Sequence, residues 1–218
     1  APNTIFSYPT TSIGNQFKIT SKLITGGLST PFYRLYQHGY DTHIDQISRH
    51  EQLFFELSNA LSVFINEMET LGLLDRILII TTSEFGRRVY ENGSGGTDHG
   101  TSAPLFIFGS NINSGIYGND PDFNQLDEND NLLVQFDYRQ VYTSIITDWF
   151  GLNQSVANQI FGENFNKIPF VNTSMSSESY IKPRYIQIKT PYPNPFNNSV
   201  TIDYKLFKDS IVKIAIFD

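Results

Sequence analysis

The sequence has no cysteine, a single tryptophan and fewer basic than acidic side chains. The lack of cysteine excludes disulfides, thiol nucleophiles and thiolate metal ligands together. The 15 Lys and Arg against 22 Asp and Glu give a formal net charge of −7. Because phosphate contacts need clustered Lys and Arg, this balance argues against a nucleic-acid partner. No apolar run has the length of a transmembrane segment, so none is expected.

Both ends of the chain have the features of cut or processed termini. The sequence opens with APNTIFSYPT, which has neither an initiator Met nor a basic leader, and it closes at Asp218 inside a strand-like run. The length of 218 residues suits one large domain with a small appendage.

An alternation of strands and helices is the main pattern of the first 150 residues. Residues 32–36 resemble a strand, residues 46–71 have the apolar spacing of a long amphipathic helix ended by Gly72, and residues 77–80 suit a buried strand. Such a βαβ unit is right-handed and parallel in nearly all known cases. We therefore predict an α/β fold with a mostly parallel sheet.

Further elements complete this domain and a second region follows it. We predict helices over 14–27 and 138–150, the second capped by Asp137, and a strand over 105–108. Beyond residue 185, period-two alternation over 185–188, 200–204 and 211–216 predicts an antiparallel sheet with one solvated face. The predicted organisation is an α/β domain over 1–172, a linker over 173–185 and a truncated β appendage over 186–218.

Metal-binding side chains follow the predicted strands. Asp41 and His43 lie two residues apart, Glu84 directly follows the strand at 77–80, and Asp98 and His99 lie on a glycine-rich segment. Because the βαβ unit brings strand exits to one sheet edge, we expect these donors to converge there. Such oxygen and nitrogen donors suit a divalent cation, with Asp98 either as a ligand or as a second-layer carboxylate that orients a histidine ring.

Other interpretations of the same residues stay open. Asp41 to His43 also fits a turn before a helix capped by Asp45, and Glu84 also fits a salt bridge with Arg87 or Arg88. Beside a metal, either arginine could bind an anion, and a metal with an anion clamp suits hydrolysis of a phosphate or sulfate ester. No serine or threonine is marked as a nucleophile. The remaining histidines, His38 and His50, are interpreted as structural or exposed.

Four motifs, GYDTHIDQ, TTSEFGRRVYENGSGGTDHG, GIYG and FDYRQVY, carry a family resemblance. Residues 8–152 resemble the carboxyl-terminal part of an uncharacterised bacterial family in the alkaline-phosphatase and sulfatase superfamily, called domain of unknown function 1501. The resemblance implies a doubly wound α/β sandwich with a divalent metal, of which zinc is one candidate. It also implies the metal ligands, which are Asp41, His43, Glu84 and His99.

Two departures from that superfamily matter. Its phosphatases usually have Asp-His where this chain has Glu84-Phe85, so a second metal site is not expected. Their nucleophile comes from an amino-terminal half that this chain does not include, so we expect the chain alone to be incomplete as a hydrolase.

The segment YPNPFN at 192–197, followed by TIDYKL and VKIAIFD, resembles the carboxyl-terminal sorting domain of type IX secretion. That resemblance implies a bacterial protein that is secreted or held at the cell surface, with the outer-membrane secretion machinery as a partner. The alternative is an unrelated β module with a proline turn.

Two functions follow from these observations. The first is a secreted, metal-dependent, hydrolase-like domain that acts on a phosphate or sulfate ester. The second is a non-catalytic surface protein that retains the fold and binds a glycan or another envelope protein. Phe85, in a position that is histidine in the phosphatases, favours the second.

Overall fold

The computed structural model describes residues 6–28, 30–172, 186–188, 192 and 199–206. The chain divides into two compact units, Ala1–Ser176 and Ser177–Asp218. The predicted linker over 173–185 lies outside the described residues. None of the helices in the described part combines the length and apolarity that a bilayer crossing requires.

Two packed helices form the first half of the larger unit. Helix α1 spans Ser12–Thr25 and α2 spans Gln46–Thr70, and both predicted helices are thereby confirmed. Their apolar faces meet in a buried cluster that includes Phe17, Phe64 and Met68. The same interface buries the carboxylate of Glu67, which accepts a 2.6 Å hydrogen bond from the hydroxyl of Tyr8. Burial raises the pKa of this tyrosine, so the hydroxyl keeps its proton and remains a donor.

The second helical layer follows the same principles. Helix α3, Tyr138–Ser144, begins at a capping box in which Asp137 accepts from the backbone and Gln140 reaches back to the cap. It continues as a π-helical turn, Ile145–Trp149, and α4 spans Gln154–Phe161. The cluster beneath these helices contains Val141, Ile145, Ile168, Phe170 and Val171. The predicted helix over 138–150 and its cap are confirmed.

Short antiparallel strands lie between and beside the two clusters. Strand β1, Ile79–Ile80, pairs with β4, Ile107–Phe108, so that Ile79 faces Phe108 and Ile80 faces Ile107. The first pair packs against the α1–α2 cluster and the second pair against the α3 cluster, since side chains alternate across a strand. Strands β2, Gly86–Glu91, and β3, Thr97–Gly100, form a separate hairpin.

The predicted strand over 32–36 is wrong. This segment is not part of any sheet, because a side chain of α1 takes the place of a neighbouring strand. The amide of Gln16 accepts from the backbone N–H of Tyr36 at 2.8 Å and donates to its carbonyl at 2.7 Å. Without this strand no parallel βαβ unit forms, and the named strands of the described residues pair antiparallel. The fold is mixed α/β.

The smaller unit contains an antiparallel strand pair. Strand β5, Ile186–Ile188, pairs with β6, Tyr204–Leu206, and an antiparallel bridge joins Tyr192 and Thr201. The antiparallel pattern predicted for this region is therefore confirmed for these residues. The predicted strand over 211–216 lies outside the described residues.

Candidate metal site

The glycine-rich segment that carries Asp98 and His99 is part of a β-hairpin. Strand β2 pairs with β3 so that Arg87 lies opposite His99 and Gly86 opposite Gly100. Asn92 forms the turn, since its side-chain oxygen accepts from the backbone N–H groups of Ser94 at 2.9 Å and Gly96 at 3.1 Å. Asparagine favours such turns because its short side chain replaces a backbone acceptor. The hairpin holds His99 in a defined register.

The tip of this hairpin docks on the segment that contains Asp41 and His43, residues 39–45. The side chain of Asn92 donates to the carbonyl of His43 at 3.0 Å, and the backbone N–H of Gln46 donates to the carbonyl of Gly95 at 2.9 Å. The contact is close, because a Cβ atom on Gly96 would lie 2.3 Å from the carbonyl carbon of His43. Docking of the hairpin therefore determines the distance between His43 and His99.

Three side chains, Asp41, His43 and His99, converge at this docking site and form a candidate metal-binding triad. The Nε2 atoms of the two histidines are 3.3 Å apart. The Oδ1 atom of Asp41 lies 2.8 Å from Nε2 of His99 and 3.1 Å from Nε2 of His43. One carboxylate oxygen and two imidazole nitrogens thus form a triangle.

The size of this triangle fits a tetrahedral cation. With zinc–nitrogen bonds of roughly 2.05 Å and tetrahedral angles, two ligand atoms lie about 3.3 Å apart. Two sides of the triangle, 3.1 and 3.3 Å, are close to this separation, and the third, 2.8 Å, is shorter. A carboxylate with two imidazoles is a donor set that zinc and related divalent cations accept. Three protein ligands leave a fourth position open, as in catalytic rather than structural zinc sites.

The triad is open to solvent, and its surroundings favour the ionised form of Asp41. The side chains of Asp41, His43 and His99 are 61%, 47% and 45% exposed, so a small ion or molecule can reach them. The hydrogen bond from His99 lowers the pKa of Asp41, and the charges of His99, His43 and Arg87 act in the same direction. Asp41 therefore stays an anion under mildly acidic conditions, as a metal ligand must.

Neighbouring groups orient both imidazoles. Asp98 places a carboxylate oxygen 3.4 Å from Nδ1 of His43, on the side of the ring that faces away from the triad. This is the position of a second-layer carboxylate that orients a ligating histidine. The ring of Phe85 stacks on His99, with centroids 3.7 Å apart and planes 10° apart. Both histidine rings are thereby restrained.

Three other predicted site residues are not members of the triad: Glu84, Arg87 and Arg88. Glu84 is exposed and is not a member of the metal-binding group. Arg87 donates to the backbone carbonyls of Tyr40 and Thr97, and its Nη2 lies 3.6 Å from Oδ1 of Asp41. The charge of Arg88 instead contributes to lowering the pKa of Asp127, whose largest cause is the hydrogen bond from the backbone of Asn131. Metal ligation by Glu84 and anion binding by the arginines stay predictions.

Thr42 and His50 support the site but were not singled out for it by sequence reasoning. Thr42 is buried between the two ligands Asp41 and His43, and its hydroxyl lies 2.9 Å from Nε2 of His50. His50 lies one turn inside α2, where a side chain points back toward the helix start. The sequence places His50 near the start of the predicted helix, and this position could have indicated that the histidine lies close to the residues before the helix.

The fold and site define a mixed α/β domain with a candidate divalent-metal centre. The chain belongs to the family described as Protein of unknown function (DUF1501), whose family model matches residues 8–161. The matched region includes the triad, the hairpin and both helical layers. No curated protein and no solved structure matches the chain.

Proposed function

We propose that this domain binds one divalent cation, with zinc as the first candidate, through Asp41, His43 and His99. The observation that carries this proposal is the triangle of Oδ1 and two Nε2 atoms, with sides of 2.8, 3.1 and 3.3 Å. Restraint of the rings by Asp98 and Phe85 supports it, because ordered ligands lose little entropy on binding.

The reaction that this site supports best is hydrolysis of a phosphate or sulfate ester. A bound divalent cation would polarise an ester oxygen as a Lewis acid. Asp41, His43 and His99, which are all exposed, would hold the cation where solvent and substrate can reach it, and the positive charge of Arg87 lies 3.6 Å from Asp41. Glu84, exposed beside Phe85, is a further polar group on the same segment. The nucleophile is not assigned to a residue of this chain.

The proposal includes a doubly wound sandwich related to that of the alkaline-phosphatase superfamily. Supporting it, β1 and β4 send alternate side chains into two core clusters, one on each face. A layered α/β domain has this arrangement. Within the described residues β1 pairs only with β4, in antiparallel orientation, so any parallel strand of such a sandwich would come from other residues. An experimental structure of the full-length protein with no parallel strand beside β1 or β4 would contradict this part of the proposal.

A non-catalytic surface protein is the second candidate. The stacked pair of Phe85 and His99 favours it, because an aromatic ring occupies a position that phosphatases give to a metal ligand. In that case the cation is structural and the exposed face beside it binds a glycan or another envelope protein.

Hydrolysis of aryl esters separates the two candidates. We expect the zinc-loaded full-length protein to release the aryl alcohol from an aryl phosphate or aryl sulfate, and Asp41→Asn in that protein to abolish this turnover because one ligand of the triad is weakened. Zinc binding without turnover of either ester would support the structural role. The matched control is Asp75→Asn, which lies outside the triad.

We further propose that the protein is exported by type IX secretion and is released or held at the cell surface. The motif at 192–197 and the antiparallel pair of β5 and β6 support this proposal. Residues 173–218 fused to a reporter protein should appear outside a host that has this machinery. Retention of the fusion in the periplasm would contradict the proposal.

A further inference from the structure

Among the arginines that the structure describes, Arg87 is the one with hydrogen bonds to both ligand-bearing segments of the triad. Its Nη2 group donates to the carbonyl of Tyr40, the residue before Asp41, and its Nη1 group donates to the carbonyl of Thr97, two residues before His99. Its side chain is only 16% exposed. A single guanidinium thus joins the segment of the first ligand to the strand of the last.

The position of Arg87 in the hairpin explains this reach. Arg87 lies opposite His99 across the β2–β3 pair, so both side chains extend from the same face of the hairpin. Nη2 also lies 3.6 Å from Oδ1 of Asp41, close enough to attract the carboxylate without a short hydrogen bond. The arginine therefore holds the backbone on both sides of the triad while the metal-facing oxygen stays accessible.

This geometry differs from that of an anion clamp. An arginine that clamps phosphate or sulfate presents its forked N–H groups to the ligand. Here both terminal nitrogens already donate to backbone carbonyls, and the side chain as a whole is only 16% exposed. The forked N–H groups of Arg87 thus bind the backbone of the protein itself.

We propose that Arg87 is a positioning residue that preorganises the metal triad, and that it does not bind the anionic part of a substrate. This inference rests on the proposed metal function of the triad. The rigid fork of arginine can bridge two carbonyls at once, whereas the single ammonium of lysine cannot keep both contacts in this geometry. Residues that orient metal ligands typically change metal affinity by about 10- to 100-fold when they are replaced.

The test measures zinc affinity by competition with a chromophoric chelator, and inorganic phosphate affinity at saturating zinc. We expect Arg87→Lys to weaken zinc binding by about 10- to 100-fold and to leave phosphate affinity within about twofold of the wild type. Arg76→Lys, an exposed arginine in the short turn Leu74–Arg76, is the matched control and should change neither value. Unchanged zinc affinity with weakened phosphate binding would overturn the proposal.

A second measurement uses the wild-type protein and does not depend on the folding of a variant. In NMR spectra, the side-chain nitrogen resonances of Arg87 should show restricted rotation of both Nη groups before phosphate is added. Addition of phosphate should not shift these resonances. Free rotation, or a shift on adding phosphate, would overturn the proposal. If the wild type binds no zinc, the proposed metal function fails, whereas these resonances still report whether Arg87 joins the two segments.

Discussion

His99→Ala is expected to lower the affinity for zinc by on the order of 100-fold or more. Structural zinc sites with four ligands gain about 10–16 kcal/mol, so one ligand corresponds to roughly 3 kcal/mol. The variant removes the nitrogen that lies 2.8 Å from Asp41 and 3.3 Å from His43, and the remaining pair cannot enclose a cation. Competition with a chromophoric chelator measures the affinity, and metal analysis after mild purification measures occupancy.

His38→Ala is the matched control for this measurement. His38 is exposed, stacks on Tyr36 with ring centroids 6.0 Å apart and is not a member of the triad. The His38→Ala variant should therefore retain wild-type zinc affinity.

Glu84→Ala tests the remaining predicted ligand, and retention of zinc in that variant is the result that the observed geometry favours. Wild-type zinc affinity in His99→Ala would rule out the triad as the binding site.

Gly96→Ala is expected to separate the hairpin from the segment that contains Asp41 and His43. Its Cβ would lie 2.3 Å from the carbonyl carbon of His43 and 2.5 Å from the carbonyl oxygen, and neither backbone atom can rotate away. Overpacking of this kind costs about 1–3 kcal/mol. If the strain is relieved by moving the hairpin, zinc affinity falls by about 5- to 160-fold.

Gly93→Ala provides the control within the same hairpin turn, because a Cβ at Gly93 meets nothing within 4 Å. It should bind zinc like the wild type. Thermal unfolding of both variants without metal shows whether the loss of affinity comes from the local clash or from global unfolding. Equal zinc affinities for Gly96→Ala and Gly93→Ala would show that hairpin docking does not set the ligand spacing.

The proximity of the donors was predicted correctly, but for a reason that proved wrong. The sequence argument brought Asp41, His43 and His99 together through a parallel βαβ unit, which the described part of the chain does not form. They meet because the β2–β3 hairpin docks on the segment before α2. Glu84 was grouped with them by the parallel-sheet argument and by the family resemblance, and it is absent from the observed group.

Local patterns succeeded where the physical cause is local. Apolar spacing of three and four residues predicted α1 and α2, and the capping residue Asp137 marked the start of α3, because these signals act within a few turns of chain. The strand predicted over 32–36 failed for the opposite reason. Whether an extended segment joins a sheet depends on the partner that satisfies its backbone, and here the partner is the side chain of Gln16.

By itself the sequence determined the helices, the absence of thiol chemistry and the types of donor available for a metal. Periodicity, composition and residue chemistry are properties of the chain before it folds. Only the tertiary structure decided which donors meet, because the 3.3 Å between His43 and His99 depends on contacts between residues about fifty positions apart. It likewise decided the contacts of Arg87, since a guanidinium binds whichever acceptors the fold brings within its reach.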